Sequence, residues 1–192
     1  MTAPALAQPI VFLDRDGTLI VEKHYLHDPA EVELYPGTGA ALARLRNLGC
    51  RLILVTNQSG VARGYFDRAA VERVHQRLSE LLAIENAGLD GFYVCPHGPE
   101  DGCRCRKPLP GMIEAAAARF PFDPRLAFVV GDKAADVNLG RAVGARSLLV
   151  RTGWGEKAVA AADCQPDALC ADLAEAALWI EQALIQAPAE PR

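Results

Sequence analysis

The sequence has no apolar run that approaches the length of a membrane span, and it has no long run of charges of one sign. A helix needs about 20 apolar residues to cross a bilayer, so we expect no membrane partner. The net charge of −4 and the mixing of acidic with basic residues argue against a nucleic-acid partner. Residues 1–8 also lack the basic and apolar segments of a signal peptide, so we expect a soluble, cytoplasmic protein.

Internal repeats and low-complexity linkers are absent as well, and 192 residues are enough for one domain with a substantial core. We therefore expect a single domain over 1–192, with its core at about 9–185 and a frayed tail from Gln186 to Arg192. The six cysteines are expected to be free thiols or metal ligands, because a disulfide framework is rare in the cytoplasm. Cys50 and Cys170 are expected in the core.

Short apolar runs alternate with longer segments of helical period. The runs are apolar throughout, which is typical of strands that are covered on both faces. The predicted strands are Ile10–Leu13, Leu52–Val55, Phe92–Cys95, Ala127–Val130 and Ser147–Val150. The predicted helices lie at about 37–48, 67–87, 110–119, 134–142 and 171–186. This alternation predicts an α/β fold with three layers and a doubly wound parallel sheet, in which ligands bind at the carboxyl ends of the strands.

Two aspartates follow the first predicted strand, in the segment Asp14-Arg15-Asp16-Gly17-Thr18. A carboxylate such as that of Asp14 can attack a phosphoryl group and form an aspartyl phosphate. Asp16 can protonate the leaving alkoxide and then take a proton from the attacking water. Gly17 allows the backbone to leave the strand sharply. The alternative for the pair alone is a turn with two solvated aspartates.

Two later segments supply groups that bind phosphate. Thr56-Asn57-Gln58-Ser59-Gly60 follows the second strand and offers a hydroxyl and backbone N–H groups, although such residues also form ordinary turns. In Arg106-Lys107-Pro108 the proline biases Lys107 toward an extended conformation that directs its ammonium to the site. There the ammonium would offset the repulsion between the phosphate and Asp14. The alternative is a solvated basic pair.

A second acidic segment, Gly131-Asp132-Lys133, follows the fourth strand, and Asp136 lies one helical turn further on. Mg²⁺ prefers oxygen ligands and retains several waters, so two or three protein oxygens are enough to bind it. We expect Asp132 to complete such a site with Asp14 and the backbone carbonyl of Asp16. The alternative for Asp132 and Asp136 is an N-cap and an acid in the first turn of a helix.

Four soft metal ligands lie within eleven residues, at Cys95, His97, Cys103 and Cys105. Three thiolates and one imidazole form a closed tetrahedral zinc set, which is structural because no position stays open for a substrate. The alternatives are buried cysteines or a redox pair. Because Cys105 is two residues from Lys107, the metal loop is expected to fix the direction of Lys107.

As a set, these motifs resemble those of the haloacid dehalogenase superfamily of phosphatases, over about residues 9–152. The loop with Cys-x-His and Cys-x-Cys is similar to that of the small, almost capless zinc-loop members. Residues 56–64 and 106–112 resemble the heptose-bisphosphate phosphatases of that group. The resemblance implies a haloacid dehalogenase-like Rossmannoid fold with no large cap domain, a small zinc-binding loop at 95–105, a catalytic Mg²⁺ and a structural Zn²⁺.

The implied activity is Mg²⁺-dependent hydrolysis of the C7 phosphate of D-glycero-D-manno-heptose 1,7-bisphosphate through an aspartyl phosphate, in the synthesis of nucleotide-activated heptose for lipopolysaccharide. The implied partner is a small phosphorylated sugar, and the implied state is a monomer. The alternative substrate is histidinol phosphate, because only five residues separate His97 from Cys103, a length nearer to the loops of histidinol-phosphate phosphatases. Two alternatives from other classes are a phospho-aspartate receiver domain and a zinc-organised binding module.

The resemblance also implies roles residue by residue. Asp14 would be the nucleophile and Asp16 the acid/base. Thr56 and Lys107 would stabilise the transferring phosphoryl group. The implied Mg²⁺ ligands are Asp14, Asp16, Asp132 and Lys133, the last through its carbonyl. The implied Zn²⁺ ligands are Cys95, His97, Cys103 and Cys105. The implied substrate-binding residues are Arg15, Glu22, Lys23, His24, Tyr25, Asn57, Gln58, Ser59, Arg63 and Arg106. A place on the open surface is equally compatible with Arg63.

Overall fold

Six parallel strands form one sheet in the computed structural model, which describes residues 8–186. The strands are β1 (Ile10–Leu13), β2 (Arg51–Asn57), β3 (Gly91–Cys95), β4 (Ala127–Gly131), β5 (Arg146–Val150) and β6 (Ala168–Cys170). The helices are α1 (Thr38–Asn47), α2 (Arg68–Ile84), α3 (Gly111–Arg119), α4 (Ala134–Ala142), α5 (Gly155–Ala161) and α6 (Leu173–Gln186). The expectations for the leader segment and for the tail beyond Gln186 concern residues that lie largely or wholly outside the described range.

The sheet has the strand order β3-β2-β1-β4-β5-β6, so the first strand of the chain lies in its middle. β1 pairs in parallel with β2 and with β4, and Leu13 at the end of β1 is in register with Leu54 and Val130. The carboxyl ends of these three strands are therefore neighbours, and the segments that follow them meet at one edge of the sheet. The predicted doubly wound parallel α/β sheet is confirmed.

Helices cover both faces of the sheet, which explains why its central strands are apolar throughout. Side chains of β1 alternate between two buried clusters: Val11 and Leu13 pack with α1, α2 and α6, whereas Ile10 and Phe12 pack with α3 and α4. This gives the three predicted layers. Cys50 and Cys170 both lie in the first cluster, as expected from the sequence.

One strand and one α-helix of the described chain, β6 and α5, are not predicted from the sequence. The other five strands and five helices occur where the sequence places them, with ends shifted by at most three residues. β6 has three residues and its Leu169 is exposed, and α5 has seven residues of which only Gly155 is buried. Neither segment offers the apolar run or apolar stripe by which a strand or a helix is recognised.

The connection between β1 and α1 contains no inserted domain in the described chain. It forms one 3-10 turn at Pro29–Glu31 and two isolated bridges, Asp16 with Ile20 and Ile20 with Leu34. The absence of a large cap between these elements agrees with the expectation from the sequence. Within residues 8–186, none of the helices has both the length and the apolar character needed to cross a membrane.

One histidine is buried in α2, against the sheet. The ring of His75 lies 5.0 Å from the ring of Phe92, and neither of its nitrogens has a hydrogen-bond partner among the described residues. Burial, and secondly the positive charge of Arg15, lower the pKa of His75 to about 3. The folded protein therefore keeps this ring neutral at pH values where a histidine of an unfolded chain, with a pKa of about 6.5, is protonated.

We expect His75 to make the stability of the protein depend on pH. Between about pH 6.5 and pH 3 the unfolded chain binds a proton at His75 and the folded chain does not, so the free energy of unfolding falls as the pH falls. The contribution is fully present above about pH 6.5. His75→Leu should reduce the loss of unfolding free energy between about pH 7 and pH 5 by about 2 kcal/mol, measured by urea unfolding.

The exposed His27 offers a matched control for this experiment. His27→Leu also removes an imidazole, but it should keep the pH dependence of the wild-type protein because His27 lies on the surface, outside the buried contact between α2 and the sheet. Equal losses of stability in the wild-type protein and in His75→Leu would contradict the lowered pKa.

Candidate active site

A cleft of about 390 Å³ lies where β1, β2 and β4 end. All four residues that the sequence marks as catalytic line it, and they come from three separate segments of the chain. These residues are Asp14, Asp16, Thr56 and Lys107. Asp14 and Asp16 follow β1, Thr56 lies at the end of β2 and Lys107 lies in the loop after β3. These strands pair in parallel, so the three segments meet at the same edge of the sheet.

Lys107 lies between two buried carboxylates of this cleft. Its Nζ is 2.8 Å from Asp14 Oδ1 and 2.6 Å from Asp136 Oδ1, and it donates a hydrogen bond of 3.0 Å to the carbonyl oxygen of Val55. None of the three charged side chains is more than 6% exposed. Buried charges persist only when they are paired and hydrogen-bonded, so each member of this group depends on the others.

The charges of this group set one another's protonation. Burial raises the pKa of Asp14, but the ammonium groups of Lys107 and Lys133 outweigh it and hold that pKa below its usual value. Burial lowers the pKa of Lys107, but the carboxylates of Asp136 and Asp14 outweigh it and raise that pKa. Asp14 is therefore kept anionic, which is the state that a carboxylate nucleophile requires.

Asp132 is a fully buried carboxylate at the end of β4. Its Oδ2 accepts a hydrogen bond of 2.8 Å from the backbone N–H of Trp154. Burial, followed by the negative charge of Asp14, raises the pKa of Asp132 to about 7. A divalent cation beside this carboxylate would offset both effects, because it favours the ionised form.

Two glycines make room for Asp132. Gly17 has a φ of 87° and Gly153 has a φ of 56°, in the left-handed region that favours glycine. A Cβ at either position would overlap the carboxylate of Asp132. The hydroxyl of Thr152 donates a hydrogen bond of 2.6 Å to the carbonyl oxygen of Gly17, which ties the loop after β5 to the loop after β1.

Three oxygens around the ammonium of Lys133 form a donor set suited to a cation. Asp14 Oδ2, the carbonyl oxygen of Asp16 and Asp132 Oδ1 lie 3.9, 3.4 and 2.9 Å from Lys133 Nζ. Carboxylate and carbonyl oxygens are the ligands that Mg²⁺ prefers. Carboxylate oxygens of Asp14, Asp132 and Asp136 also lie within 4.8 Å of one another. The residues present therefore fit the predicted Mg²⁺ site.

Lys133 enters this site through its ammonium, whereas the resemblance implied its carbonyl. That carbonyl accepts hydrogen bonds from the backbone N–H groups of Asp136 and Val137, at 3.0 and 3.4 Å, in the first turn of α4. Burial lowers the pKa of Lys133, but the carboxylates of Asp14 and Asp132 outweigh it, so the pKa is raised. The side chain is a permanent cation beside the donor set.

Asp16 is held by two donors at the edge of the cleft. Arg15 donates through Nε and Nη2 to the two carboxylate oxygens, at 3.0 Å each, and Gln58 donates to Oδ2 at 2.8 Å. The same amide of Gln58 donates to the hydroxyl of Thr56 at 2.8 Å. These bonds link the loop after β1 to the loop after β2 and orient the Asp16 carboxylate.

Asn57 fixes the backbone of Lys107 from the end of β2. Its side-chain amide donates to the carbonyl oxygen of Lys107 at 3.2 Å and accepts from the backbone N–H of Lys107 at 3.1 Å. Asn57 was implied as a substrate-binding residue, and its contacts in the structure also give it a positioning role. These two bonds tie the loop that carries Lys107 to the end of β2.

Seven of the ten implied substrate-binding residues line the cleft, namely Glu22, His24, Tyr25, Asn57, Gln58, Ser59 and Arg106. The other three lie elsewhere. Arg15 is 1% exposed with its guanidinium on Asp16, Lys23 pairs with Glu33 at 3.1 Å, and Arg63 is exposed. The roles of these ten residues in binding stay predictions.

Two site residues were missed by the sequence reasoning. One is Asp136, which the sequence indicated only as an N-terminal acid of a helix and which forms the ion pair with Lys107. The signal that could have found it is its position: it lies four residues after Asp132, one turn into a helix that starts at a strand end. Trp154 donates its backbone N–H to Asp132 and its indole N–H to Glu22 Oε2, the latter at 3.2 Å. No pattern in the sequence marks Trp154, because it precedes the unpredicted helix α5.

Cys95, His97, Cys103 and Cys105 form a second metal-ligand cluster beside the cleft. Their ligand atoms all lie within 4.8 Å of one another, with His97 Nδ1 3.2 Å from Cys105 Sγ and Cys95 Sγ 3.7 Å from Cys103 Sγ. Zinc bonds of about 2.3 Å to sulfur and about 2.0 Å to nitrogen place tetrahedral ligands roughly 3.5–3.8 Å apart. The four residues therefore fit a closed structural zinc site.

The zinc loop is joined to the cleft by backbone contacts. Cys95 is the last residue of β3, and its carbonyl oxygen accepts a hydrogen bond of 2.7 Å from the backbone N–H of Gln58. Arg106 donates to the carbonyl oxygen of His97 at 3.2 Å. The cluster thus holds Arg106 at the rim of the cleft, one residue before Lys107.

Known proteins resemble this chain over most of its length. A family model described as HAD-hydrolase-like matches residues 104–176. The D-glycero-beta-D-manno-heptose-1,7-bisphosphate 7-phosphatase of Bordetella bronchiseptica is 38% identical over 170 residues, which are 88% of this chain and 95% of that protein. The D-glycero-D-manno-heptose-1,7-bisphosphate 7-phosphatase of Thermosynechococcus vestitus is 40% identical over 189 residues, covering 91% of this chain and 96% of that protein.

One solved structure is similar to this chain in both fold and sequence. The crystal structure of D,D-heptose 1,7-bisphosphate phosphatase from B. bronchiseptica, complexed with magnesium and phosphate, superposes with a TM-score of 0.85 at 38% identity. The match covers 91% of this chain and 98% of that one. The similarity therefore includes both the sheet and the loops that form the cleft.

We expect one zinc ion per chain, bound by the cysteine and histidine cluster. Cys103→Ser removes one of the three thiolates and should lower the zinc content of the purified protein from about one per chain to well below about half, measured by atomic emission. Cys164→Ser is the matched control, because Cys164 is a half-buried free thiol outside the cluster, and it should keep the zinc. Wild-type protein that purifies without zinc, or a Cys103→Ser variant that retains it, would contradict the site.

Proposed function

This chain belongs to the D-glycero-D-manno-heptose-1,7-bisphosphate 7-phosphatase family of haloacid dehalogenase-like hydrolases, and we propose that it hydrolyses the C7 phosphate of that bisphosphate with Asp14 as nucleophile. The observation that carries the proposal is the identity of about 40% with phosphatases of this name over nine-tenths of the chain. The buried pairing of Asp14 with Lys107 supplies the chemistry. The protein is a phosphoric monoester hydrolase, and Mg²⁺ is its cofactor.

The first step is in-line attack of the Asp14 carboxylate on the phosphorus atom of the C7 phosphate. Lys107 and the backbone N–H of Arg15 both contact Asp14 Oδ1, at 2.8 and 2.7 Å, and they hold the carboxylate in one orientation. A nucleophile held in this way reacts as a pre-oriented group, which lowers the entropic part of the barrier. The bond from phosphorus to the sugar oxygen breaks, and the product is a phosphorylated Asp14.

Asp16 moves the protons of both steps. It protonates the O7 oxygen of the sugar as that oxygen leaves, and it then takes a proton from the water that attacks the aspartyl phosphate. Its position at the edge of the cleft, held by Arg15 and Gln58, supports this role. Hydrolysis of the phosphoenzyme releases inorganic phosphate and returns Asp14 to its starting state.

A positive group and a hydrogen-bond donor stabilise the negative charge on the transferring phosphoryl group. The ammonium of Lys107 and the Thr56 hydroxyl line the cleft next to Asp14. Such preorganised donors stabilise the transition state more than the ground state. Mg²⁺, held by Asp14, Asp132 and the carbonyl oxygen of Asp16, supplies further neutralisation of phosphate charge when it is bound.

Arg106 is the group that we assign to the far end of the substrate. It lines the cleft, and its guanidinium suits the second phosphate, at C1, since guanidinium groups bind phosphate through paired hydrogen bonds. Histidinol phosphate carries a positive amine in place of that phosphate, which Arg106 would repel. Arg63 is exposed and outside the cleft lining, so its contribution is smaller in this proposal.

The cysteines bear on the cellular location of the enzyme. None of the six cysteines forms a disulfide, which fits a reducing compartment and supports a cytoplasmic enzyme. We propose a single-domain monomer that acts in the synthesis of nucleotide-activated heptose for lipopolysaccharide. Light scattering of the purified chain measures its oligomeric state.

The expected substrate order is heptose 1,7-bisphosphate far above histidinol phosphate. In a phosphate-release assay with Mg²⁺, kcat/KM for the preferred anomer of the bisphosphate should exceed that for histidinol phosphate at least about 100-fold, because unpaired charges in a binding site are costly. The two anomers are tested separately. Equal or faster hydrolysis of histidinol phosphate would overturn the assignment of the substrate.

Arg106→Met serves as the matched variant for this assay. It should raise the KM for the bisphosphate about tenfold or more and leave that for heptose 7-phosphate nearly unchanged, because only the former has a phosphate at C1. An equal effect on both substrates would mean that Arg106 acts elsewhere.

Asp14→Asn should abolish turnover and leave the fold intact. The amide is a poor nucleophile, so kcat should fall about a thousandfold or more, whereas Lys107 keeps its partner Asp136. Phosphate release and circular dichroism measure the two effects. Asp163→Asn, at an exposed loop position, is the control and should retain activity. Near-normal turnover of the Asp14→Asn variant would remove Asp14 from the nucleophile role.

A further inference from the structure

Lys133 lies on the oxygens that the proposed Mg²⁺ site needs, and we propose that its ammonium and the divalent cation compete for them, with Glu22 receiving the ammonium when the cation binds. This inference rests on the proposed metal site. The ammonium is 2.9 Å from Asp132 Oδ1 and 3.4 Å from the carbonyl oxygen of Asp16. It is 3.9 Å from Asp14 Oδ2.

Mg²⁺ and the ammonium of Lys133 cannot both bind these three oxygens at the same time. Mg²⁺ requires oxygen ligands at about 2.0–2.1 Å, so an ion on the same three oxygens would lie next to the position of Lys133 Nζ. Positive charges so close together in a largely buried site repel each other strongly. One of them must move, and the lysine is the one attached to a flexible side chain.

Lys133 has room to move, which the other lysine of the cleft lacks. Its side chain is 39% exposed, whereas that of Lys107 is 3% exposed and is held by Asp14, Asp136 and the carbonyl oxygen of Val55. Binding of a divalent cation therefore displaces Lys133 and leaves Lys107 in place.

Glu22 is an anchored carboxylate within reach of the Lys133 ammonium. Its Oε2 is 3.6 Å from Lys133 Nζ, and it also accepts a hydrogen bond of 3.2 Å from the indole N–H of Trp154. Its Oε1 accepts a bond of 2.9 Å from the backbone N–H of His24. A carboxylate anchored from two sides keeps its place while the lysine moves.

Glu22 is thus a positioning residue for Lys133, although the resemblance implied that it binds substrate. By holding the displaced ammonium it lowers the free energy of the exchange, so it strengthens cation binding through Lys133. The ammonium of Lys133 by itself weakens cation binding. These two effects are coupled, and the coupling distinguishes the exchange from a simple attraction between Glu22 and the cation.

The test measures Mg²⁺ affinity by isothermal titration calorimetry on zinc-loaded protein, in a double-mutant cycle. Lys133→Met should tighten Mg²⁺ binding at least about fivefold, the lower end of couplings between interacting sites. Glu22→Gln should weaken binding at least about fivefold in the wild-type background. In the Lys133→Met background, Glu22→Gln should have less than about a twofold effect, because no ammonium remains for Glu22 to hold.

Lys23→Met is the matched control for charge, since Lys23 pairs with Glu33 and has no contact with the three oxygens. It should leave Mg²⁺ affinity within about twofold of the wild type. A Glu22→Gln effect that persists in the Lys133→Met background would overturn the exchange and indicate direct attraction of the cation by Glu22. Unchanged affinity in Lys133→Met would also overturn it.

The measurement needs no substrate, so its outcome is separate from the hydrolysis assays. Wild-type protein that binds Mg²⁺ with affinities unaltered by the variants refutes the exchange alone. Wild-type protein that binds no Mg²⁺ refutes the proposed metal site, and the exchange with it. Thermal unfolding of each variant establishes that the compared proteins are folded.

Discussion

The ion group formed by Lys107 between Asp14 and Asp136 is the constraint on which the rest of the site depends. All three charges are buried, and they come from distant parts of the sequence. Asp14 follows β1, Lys107 lies in the loop after β3 and Asp136 lies at the start of α4. A buried charge without its partner costs several kcal/mol, and this cost holds the three segments in register. The sheet supplies the common edge at which they meet.

Two supports outside the ion group keep its members in position. The side chain of Asn57 binds the backbone of Lys107 on both sides, and the cysteine and histidine cluster closes the loop just before it. On the other side of the cleft, Trp154 binds Asp132 through its backbone and Glu22 through its indole. A cleft that is open in the absence of a large cap thus obtains its rigidity from short loops that are bonded to one another.

Most of the fold was predictable because its signals are local. Five strands and five helices have continuous apolar runs or apolar stripes, and the order of these elements is enough to predict a parallel sheet with two covered faces. β6 lacks such a signal and is held by its pairing with β5 and its packing against α6. α5 lacks one as well, since Gly155 is its only buried residue. The placement of Asp14, Asp16 and Lys107 at one cleft was predictable because residue type and spacing express their chemistry directly, and the same is true of the cluster of Cys95, His97, Cys103 and Cys105.

The sequence alone determined which chemical groups the protein has and in what order they leave the strands: a pair of aspartates, a hydroxyl loop, a lysine, a second acid and four soft metal ligands. Only the tertiary structure decided how each is used. It turned Arg15 inward onto Asp16, brought Asp136 to Lys107, and set the ammonium of Lys133 rather than its carbonyl among the oxygens. The reason is that such pairings depend on burial, which raises the free-energy cost of a charge, and on the distance to an opposite charge, which offsets that cost. Local sequence contains neither the burial nor the distance.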